Sequence, residues 1–289
     1  MASNKNKIDW NIVKEVFLKT TKNFFKDNCL LMSASLSYFG ILSAFPLILL
    51  LLSALSFILN SNKKALEYVV HLTESFTPAG SEIARRLLEN TINNGGITTI
   101  ISFITLIWIL LIFFGVLESV YNSIWRIKKR RSFLRSKFLG VFLMVLLMIF
   151  TLFTLFLTNA LEYFFYSSNF IKFIGIKPLP AIYNTILYII NLIFALFVFF
   201  LFNKFIPVTK VNNKSALLGG TFTTLAFFIA RFFYKLYLTY YPFVNVVYGS
   251  LFTVIILITW LDYTMIMMLY GCELTKIHHS MSKNNLITR

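Results

Sequence analysis

Six apolar runs divide the 289-residue chain, near 31–59, 97–117, 138–159, 181–202, 215–233 and 249–272. A helix of ~20 residues rises far enough to cross the hydrocarbon of a bilayer, so each run predicts a transmembrane helix. The first run is longer than that and contains Pro46, which predicts a kink or a tilt. None of the runs has the alternating ten-residue pattern of an outer-membrane barrel. Between and before them, two segments carry helical periodicity of a different kind. In 8–25, Ile8, Ile12, Val13, Val16, Phe17 and Phe24 recur every three or four residues, with Lys14, Lys19 and Lys22 elsewhere. This predicts a helix lying in the membrane interface. Segment 62–94 holds KKALEYVVHLTESF and SEIARRLLENTI, separated by Thr77-Pro78-Ala79-Gly80, which predicts two short outer-face helices and a turn. The expected fold is therefore an all-α polytopic membrane protein with six transmembrane helices, an N-terminal interfacial helix and two outer-face helices. With no short repeat and no low-complexity linker, 1–289 reads as one membrane domain. The first run follows a polar arm and is too long for a signal-peptide core, so it reads as an uncleaved anchor.

Composition supports the pattern. Apolar residues make up 58% of the chain and charged residues only 13%, too few to cover a soluble surface of this size. Soluble enzymes, disordered chains and disulfide-rich secreted modules are excluded on that ground. The net charge of +16 would suggest nucleic acid on a soluble protein. Here its placement gives another reading. Of the 27 basic residues, nineteen lie in the N-terminal arm, 118–137, 203–214 and the tail, and eight lie in the alternate segments. Lys and Arg collect on the cytoplasmic side, which predicts a bacterial inner-membrane protein with both termini inside. The densest cluster is Arg126, Lys128, Lys129, Arg130 and Arg131, and its expected partners are anionic lipid headgroups rather than nucleic acid. Cys29 and Cys272 both fall near the predicted cytoplasmic face and are expected to be reduced.

Within the apolar runs a small polar minority carries the candidate chemistry. Ser33, Ser37 and Gly40 (with Ala44) share one face of the first span, and Ser215, Gly219 and Thr223 share one face of the fifth. Small residues let helix backbones approach closely, so Ser33, Ser37, Gly40, Gly219, Gly220 and Gly249 are candidate packing positions. The third span is bulky throughout and reads as lipid-facing, which accounts for much of the phenylalanine content without an aromatic site. Asn184, Tyr188 and Asn191 form a polar stripe on the fourth span, read as interhelical glue or as the lining of a polar path. Ionisable residues in spans point to function most strongly, because each is costly in hydrocarbon. Asp262 lies fourteen residues before Lys276, about 20 Å deeper at helical rise. Glu273 lies near the inner interface on almost the same helix face, and Glu118 lies eight residues before Arg126. Ser35 and Tyr38 fall at comparable depth on the first span. The expectation is an intramembrane polar cluster of Ser35, Tyr38, Glu118, Asn122, Asp262 and Glu273. Structural hydrogen bonding and a substrate or proton path both remain open for it. Arg231 is the obvious counter-charge for Asp262, but only if its span extends or tilts.

These residues resemble the YihY/virulence factor BrkB family of bacterial inner-membrane proteins. The first span reads Ala34-Ser35-Leu36-Ser37-Tyr38, then Ser43-Ala44-Phe45-Pro46. The second ends Glu118-Ser119-Val120-Tyr121-Asn122-Ser123-Ile124-Trp125. Pro207-Val208-Thr209-Lys210-Val211 and Gly219-Gly220 follow, and the last block reads Val247-Tyr248-Gly249-Ser250-Leu251, Ile258-Thr259-Trp260 and Leu269-Tyr270-Gly271-Cys272-Glu273-Leu274. Four blocks in this order over nearly the whole chain carry the likeness. Asp262 departs from the pattern, where an apolar or aromatic residue is usual. The resemblance implies six spans and cytoplasmic termini. It implies no settled activity: members once carried a ribonuclease label, now regarded as mistaken.

Two functions follow as expectations. One is transport or flipping of an envelope lipid or an amphipathic or polar solute. The other is a non-catalytic envelope assembly protein that docks partners through 62–94. An enzyme is not expected. A ribonuclease needs acid–base or metal chemistry, and no aqueous carboxylate cluster or metal-spaced His/Cys group accompanies the basic run. His278 and His279 are adjacent and do not share a helix face, His71 is alone, and no Walker loop, G-x-S-x-G, H-E-x-x-H or C-x-x-C occurs. No cofactor or metal is expected.

Overall fold

The computed structural model describes residues 10–43, 78–128, 131–132, 134–143, 145–146, 180–240 and 250–287. Every regular element among them is a helix. In chain order these are α1 (Trp10–Lys26), α2 (Cys29–Ser43), α3 (Pro78–Ile124), α4 (134–143), α5 (Pro180–Phe205), α6 (Asn213–Tyr240) and α7 (Ser250–Ile287).

Among the described residues, four stretches are long and apolar enough to cross a membrane: Phe103–Ile124, Thr185–Phe205, Asn213–Tyr234 and Ile255–Lys283. They coincide with the second, fourth, fifth and sixth apolar runs. Helix α2 covers the start of the first run and α4 the start of the third. The rest of those two runs, with Gly249 and the 62–77 stretch, lies outside the described residues. The exposed side chains fit a lipid solvent. Ile100, Ile104, Ile107 and Trp108 form one exposed stripe on α3, Trp108 at 64%. In water such a stripe would be an aggregation surface, whereas hydrocarbon solvates it.

One element differs from its expected form. The second outer-face stretch and the second span are a single helix of 47 residues. Pro78 opens it, at a position where a missing N–H and a fixed φ are harmless. Gly95 and Gly96 lie inside it. Glycine lowers helix propensity but retains its N–H, so it does not end a helix as proline would. The N-terminal helix is also engaged by protein. Thr20 and Phe24 of α1 are buried. The Thr21 hydroxyl lies 2.8 Å from the Tyr270 hydroxyl on α7, and the Phe24 and Tyr270 rings are 5.5 Å apart.

The chain forms two compact units. The first comprises Met1–Met32, Leu117–Phe232 and Ile266–Arg289, and the second Ser33–Val116 and Phe233–Met265. In the first unit, α6 and α7 cross at glycines. A Cβ on Gly219 would overlap the Thr275 hydroxyl and the Gly271 carbonyl, and one on Gly271 would overlap the Thr223 hydroxyl. The Thr223 and Thr275 hydroxyls donate to the Gly219 and Gly271 carbonyls of their own helices, at 2.9 and 2.8 Å. Each helix thus presents a flat Gly-x-x-x-Thr face, which permits backbone contact. Gly220 faces α5, where a Cβ would stand 3.0 Å from the Phe200 nitrogen. In the second unit, α2 packs on α7 less tightly. A Cβ on Gly40 would meet only Leu261 Cδ1, at 3.9 Å.

Two turns set the positions of charged side chains. Asn28, between α1 and α2, has φ 53°, and its carbonyl accepts the N–H groups of Leu31 and Met32. Helix α3 ends in a Schellman turn: Ile127 N–H bonds the Asn122 carbonyl, and Arg126 N–H bonds the Ser123 carbonyl. The left-handed position of that turn, usually glycine, is held by Arg126 with φ 54°.

Candidate functional site

The turn between α1 and α2 presents Asp27, the end of α3 presents Arg126, and α7 presents Glu273 and Lys276. All four meet in the first unit. The Lys276 ammonium donates to Asp27 Oδ2 at 3.2 Å and to both oxygens of Glu273 at 3.1 Å. Arg126 Nη2 donates to Asp27 Oδ1 at 3.2 Å. Glu273 is fully buried, while the side chains of Asp27 and Lys276 are 14% and 16% exposed. Spacing explains part of this. Glu273 and Lys276 are three apart on α7, so they share a face. Asp27 reaches them because α1 reverses into α2 at Asn28. Burial pushes the Asp27 carboxyl up, but hydrogen bonds from Glu273 and Lys276, the Lys276 charge and the Arg126 hydrogen bond outweigh it. Asp27 is held below the ordinary carboxylate range.

A second polar group joins the end of α3 to the segment after α5. The Ser136 hydroxyl donates to Glu118 Oε2. Asn122 Oδ1 accepts the Val208 N–H at 3.1 Å. Arg131 Nη2 donates to the Phe205 and Pro207 carbonyls, at 2.8 and 3.0 Å. Arg131 Nη1 is buried and has no acceptor among the described residues. Near the end of α7, His279 Nδ1 accepts the Asn212 N–H at 3.2 Å, and His278 Nδ1 lies 2.8 Å from the Ser215 hydroxyl.

Asp262 belongs to the second unit, where it accepts a hydrogen bond from the Ser33 hydroxyl at 3.1 Å. The Ser37 hydroxyl lies 3.5 Å from the same oxygen and also donates to the Ala34 carbonyl at 3.0 Å. Four of the six residues of the expected intramembrane cluster thus have separate partners: Glu273 with Lys276, Glu118 with Ser136, Asn122 with Val208, and Asp262 with Ser33. Ser35 and Tyr38 are exposed, Tyr38 at 58%. Asn191 donates to the Leu187 carbonyl of its own helix at 2.9 Å. Tyr188 is exposed with its ring 5.0 Å from that of Phe228, and Arg231 is exposed. The Asn184 side chain lies outside the described residues.

Sequence reasoning did not single out Asp27, Gly271 or Thr275. The Gly-x-x-x-Thr spacing of 271–275 was a readable signal. For Asp27 no local signal exists, because its partners Arg126 and Lys276 are 99 and 249 positions away. Both cysteines are buried and unbridged. Among the described residues no group of three or more His, Cys, Asp or Glu could hold a metal ion.

Apolar helices of spanning length, with charged groups gathered at their ends, define a helical membrane protein of several spans. Its lineage follows from comparison with known proteins. The chain belongs to the virulence factor BrkB family, which it matches over residues 20–286. It is 26% identical over 240 residues to the UPF0761 membrane protein PSHAa0171 of Pseudoalteromonas translucida, covering 83% of this chain and 78% of that protein. It is 28% identical over 201 residues to the UPF0761 membrane protein YihY of Salmonella typhimurium, covering 70% of this chain and 66% of that protein. No solved structure matches the chain.

Proposed function

We propose that this is a bacterial inner-membrane protein that moves an envelope lipid, or another amphipathic or polar solute, across the bilayer. The observation that carries the reading is the Asp27–Arg126–Glu273–Lys276 network. A buried ion pair adds little net stability, because desolvation offsets the attraction. Glu273 is a fully buried ionisable group on a spanning helix, and such a residue marks a pathway or a moving part more readily than a strut. This network ties three chain segments together through four side chains. Contacts of that kind can be broken and remade when helices shift, as a two-state element requires. We assign the protein no catalytic role, and the relatives' printed names carry no reaction. Both termini are placed in the cytoplasm, on the asymmetry of Lys and Arg between alternate segments.

The test is flux of a fluorescent lipid in reconstituted vesicles, with Glu273→Gln, Glu118→Gln and Asp262→Asn made singly and together. The reading expects Glu273→Gln to lower flux at least tenfold with reconstitution unchanged. Full flux in the triple variant would reject it.

A further inference from the structure

Helix α4, the residues just before it and Val208 line an open groove of about 1090 Å³ in the first unit. Its lining changes character along α4. Arg131 and Ser132 just before α4, with Leu134 and Arg135 in its first turn, stand at the N-terminal end, and Phe138, Leu139 and Phe142 follow. From Arg135 to Phe142 is seven residues, about 10 Å of helix. One end therefore presents two guanidinium groups and a hydroxyl, which favour an anion. The other end presents apolar side chains that the protein leaves uncovered, with Phe138 76% and Phe142 51% exposed.

The two arginines have spare capacity. Arg135 is exposed and makes no hydrogen bond or ion pair among the described residues. Arg131 uses Nη2 to hold two carbonyls, and its buried Nη1 has no acceptor among the described residues. Arg126, in the same basic run, is already committed to Asp27. Glu118 accepts from Ser136, and among the described residues no carboxylate forms an ion pair with Arg131 or Arg135. The groove's volume exceeds the upper range of small-molecule sites, so it has room for a headgroup and part of its chains. Along the sequence, α4 leads into the third apolar run. A ligand whose anionic end meets the arginines would thus have its apolar end directed toward the hydrocarbon.

We propose that this groove seats an anionic phospholipid, with its phosphate at Arg131 and Arg135 and its acyl chains along Phe138, Leu139 and Phe142. The inference rests on the lipid-handling reading above and names the substrate class for it.

The experiment places the photocrosslinking residue p-benzoylphenylalanine at position 138 of the full chain, in phosphatidylcholine vesicles. These contain the same small mole fraction of radiolabelled phosphatidylglycerol or radiolabelled phosphatidylcholine. Phe197, an exposed side chain on α5, is the reference for ordinary surrounding lipid. The expected result is a labelling ratio of phosphatidylglycerol to phosphatidylcholine at least fivefold higher at position 138 than at 197. Arg135→Glu lowers that ratio roughly fivefold or more, the effect of losing one basic group at a membrane surface. Arg135→Lys keeps most of it. Arg135 has no partner among the described residues to lose, so these variants should elute and melt like the parent. If Arg135→Glu does not, Arg135→Gln decides in its place. Equal ratios at 138 and 197 overturn the proposal, and so does a ratio that Arg135→Glu or its Gln substitute leaves unchanged. Millimolar inorganic phosphate should leave the labelling intact; abolition of labelling by phosphate would show a free-anion site and overturn it too. Preserved labelling in a protein without flux would reject transport and keep the site. Lost preference in a protein with full flux would reject the site alone.

Discussion

Replacing Gly271 with alanine adds one methyl group at the closest approach of α6 and α7. The new Cβ would overlap the Thr223 hydroxyl and stand 2.9 Å from the Gly219 carbonyl oxygen. The hydroxyl could rotate away only by giving up its 2.9 Å bond to that same carbonyl. The carbonyl is backbone and cannot rotate at all, so the helices must separate. Overpacking of this kind costs about 1–3 kcal/mol, and two simultaneous obstacles put this site in the upper half, at about 2–3 kcal/mol. At about 2–4 °C per kcal/mol for chains of a few hundred residues, the melting temperature in detergent should fall by about 5–10 °C. Thr223→Ala removes the first obstacle, so Gly271→Ala combined with Thr223→Ala should recover at least half of the loss in a double-mutant cycle. Gly40→Ala is the contrasting case. Its Cβ would meet only Leu261, at 3.9 Å, and alanine favours helix by ~1 kcal/mol over glycine. It should be neutral or stabilising. Equal melting temperatures for Gly271→Ala and Gly40→Ala would refute the close crossing.

Other outcomes follow from the charged network and its turns. Lys276→Met leaves the buried Glu273 carboxyl and Asp27 without their shared cation, and should destabilise by about 3–5 kcal/mol in thermal melts. Adding Glu273→Gln should return part of that. Asp27 lies below its ordinary value of 3.8, so its contribution is complete above that pH and is lost as pH falls through the lower folded value. Asp27→Asn should therefore lower stability at neutral pH and flatten the decline of the acid limb in a pH series of melts. Arg126→Gly removes an ion pair whose arginine is 59% exposed, worth about 0–1 kcal/mol, and relieves a left-handed φ worth about 1–2 kcal/mol. It should leave the melting temperature within a few degrees of the parent, whereas Arg126→Val, with a branched Cβ at φ 54°, should lower it.

Much of the architecture was legible because a membrane imposes a simple rule: an apolar run of sufficient length must close its own hydrogen bonds as a helix. Phe103–Ile124, Thr185–Phe205, Asn213–Tyr234 and Ile255–Lys283 can be read off the sequence for that reason. The join between the outer stretch and the second span was less legible. Gly95-Gly96 and a change from amphipathic to apolar composition mimic a boundary, yet neither removes a backbone donor. Polar partners were the least legible. Counting residues from a charged end gives depth in the membrane, but depth says nothing about which direction a side chain faces. Glu118 and Asp262 sit at comparable depth by counting, and one meets Ser136 while the other meets Ser33. Asp27 meets Lys276 across 249 positions because a two-residue turn returns the chain at the right point, and periodicity carries no information about such a return.

The central claim, that this family member moves a lipid, is tested most directly by one measurement on the purified full chain. The protein is reconstituted into vesicles carrying a trace of nitrobenzoxadiazole-labelled phosphatidylglycerol in both leaflets, and dithionite, which cannot cross the bilayer, is added outside. Protein-free vesicles lose about half of the fluorescence. The account predicts a second phase in vesicles with protein, as inner-leaflet label reaches the outside, faster for phosphatidylglycerol than for phosphatidylcholine. Loss that stops at the protein-free plateau, for both lipids and with the protein shown to be folded, would contradict it.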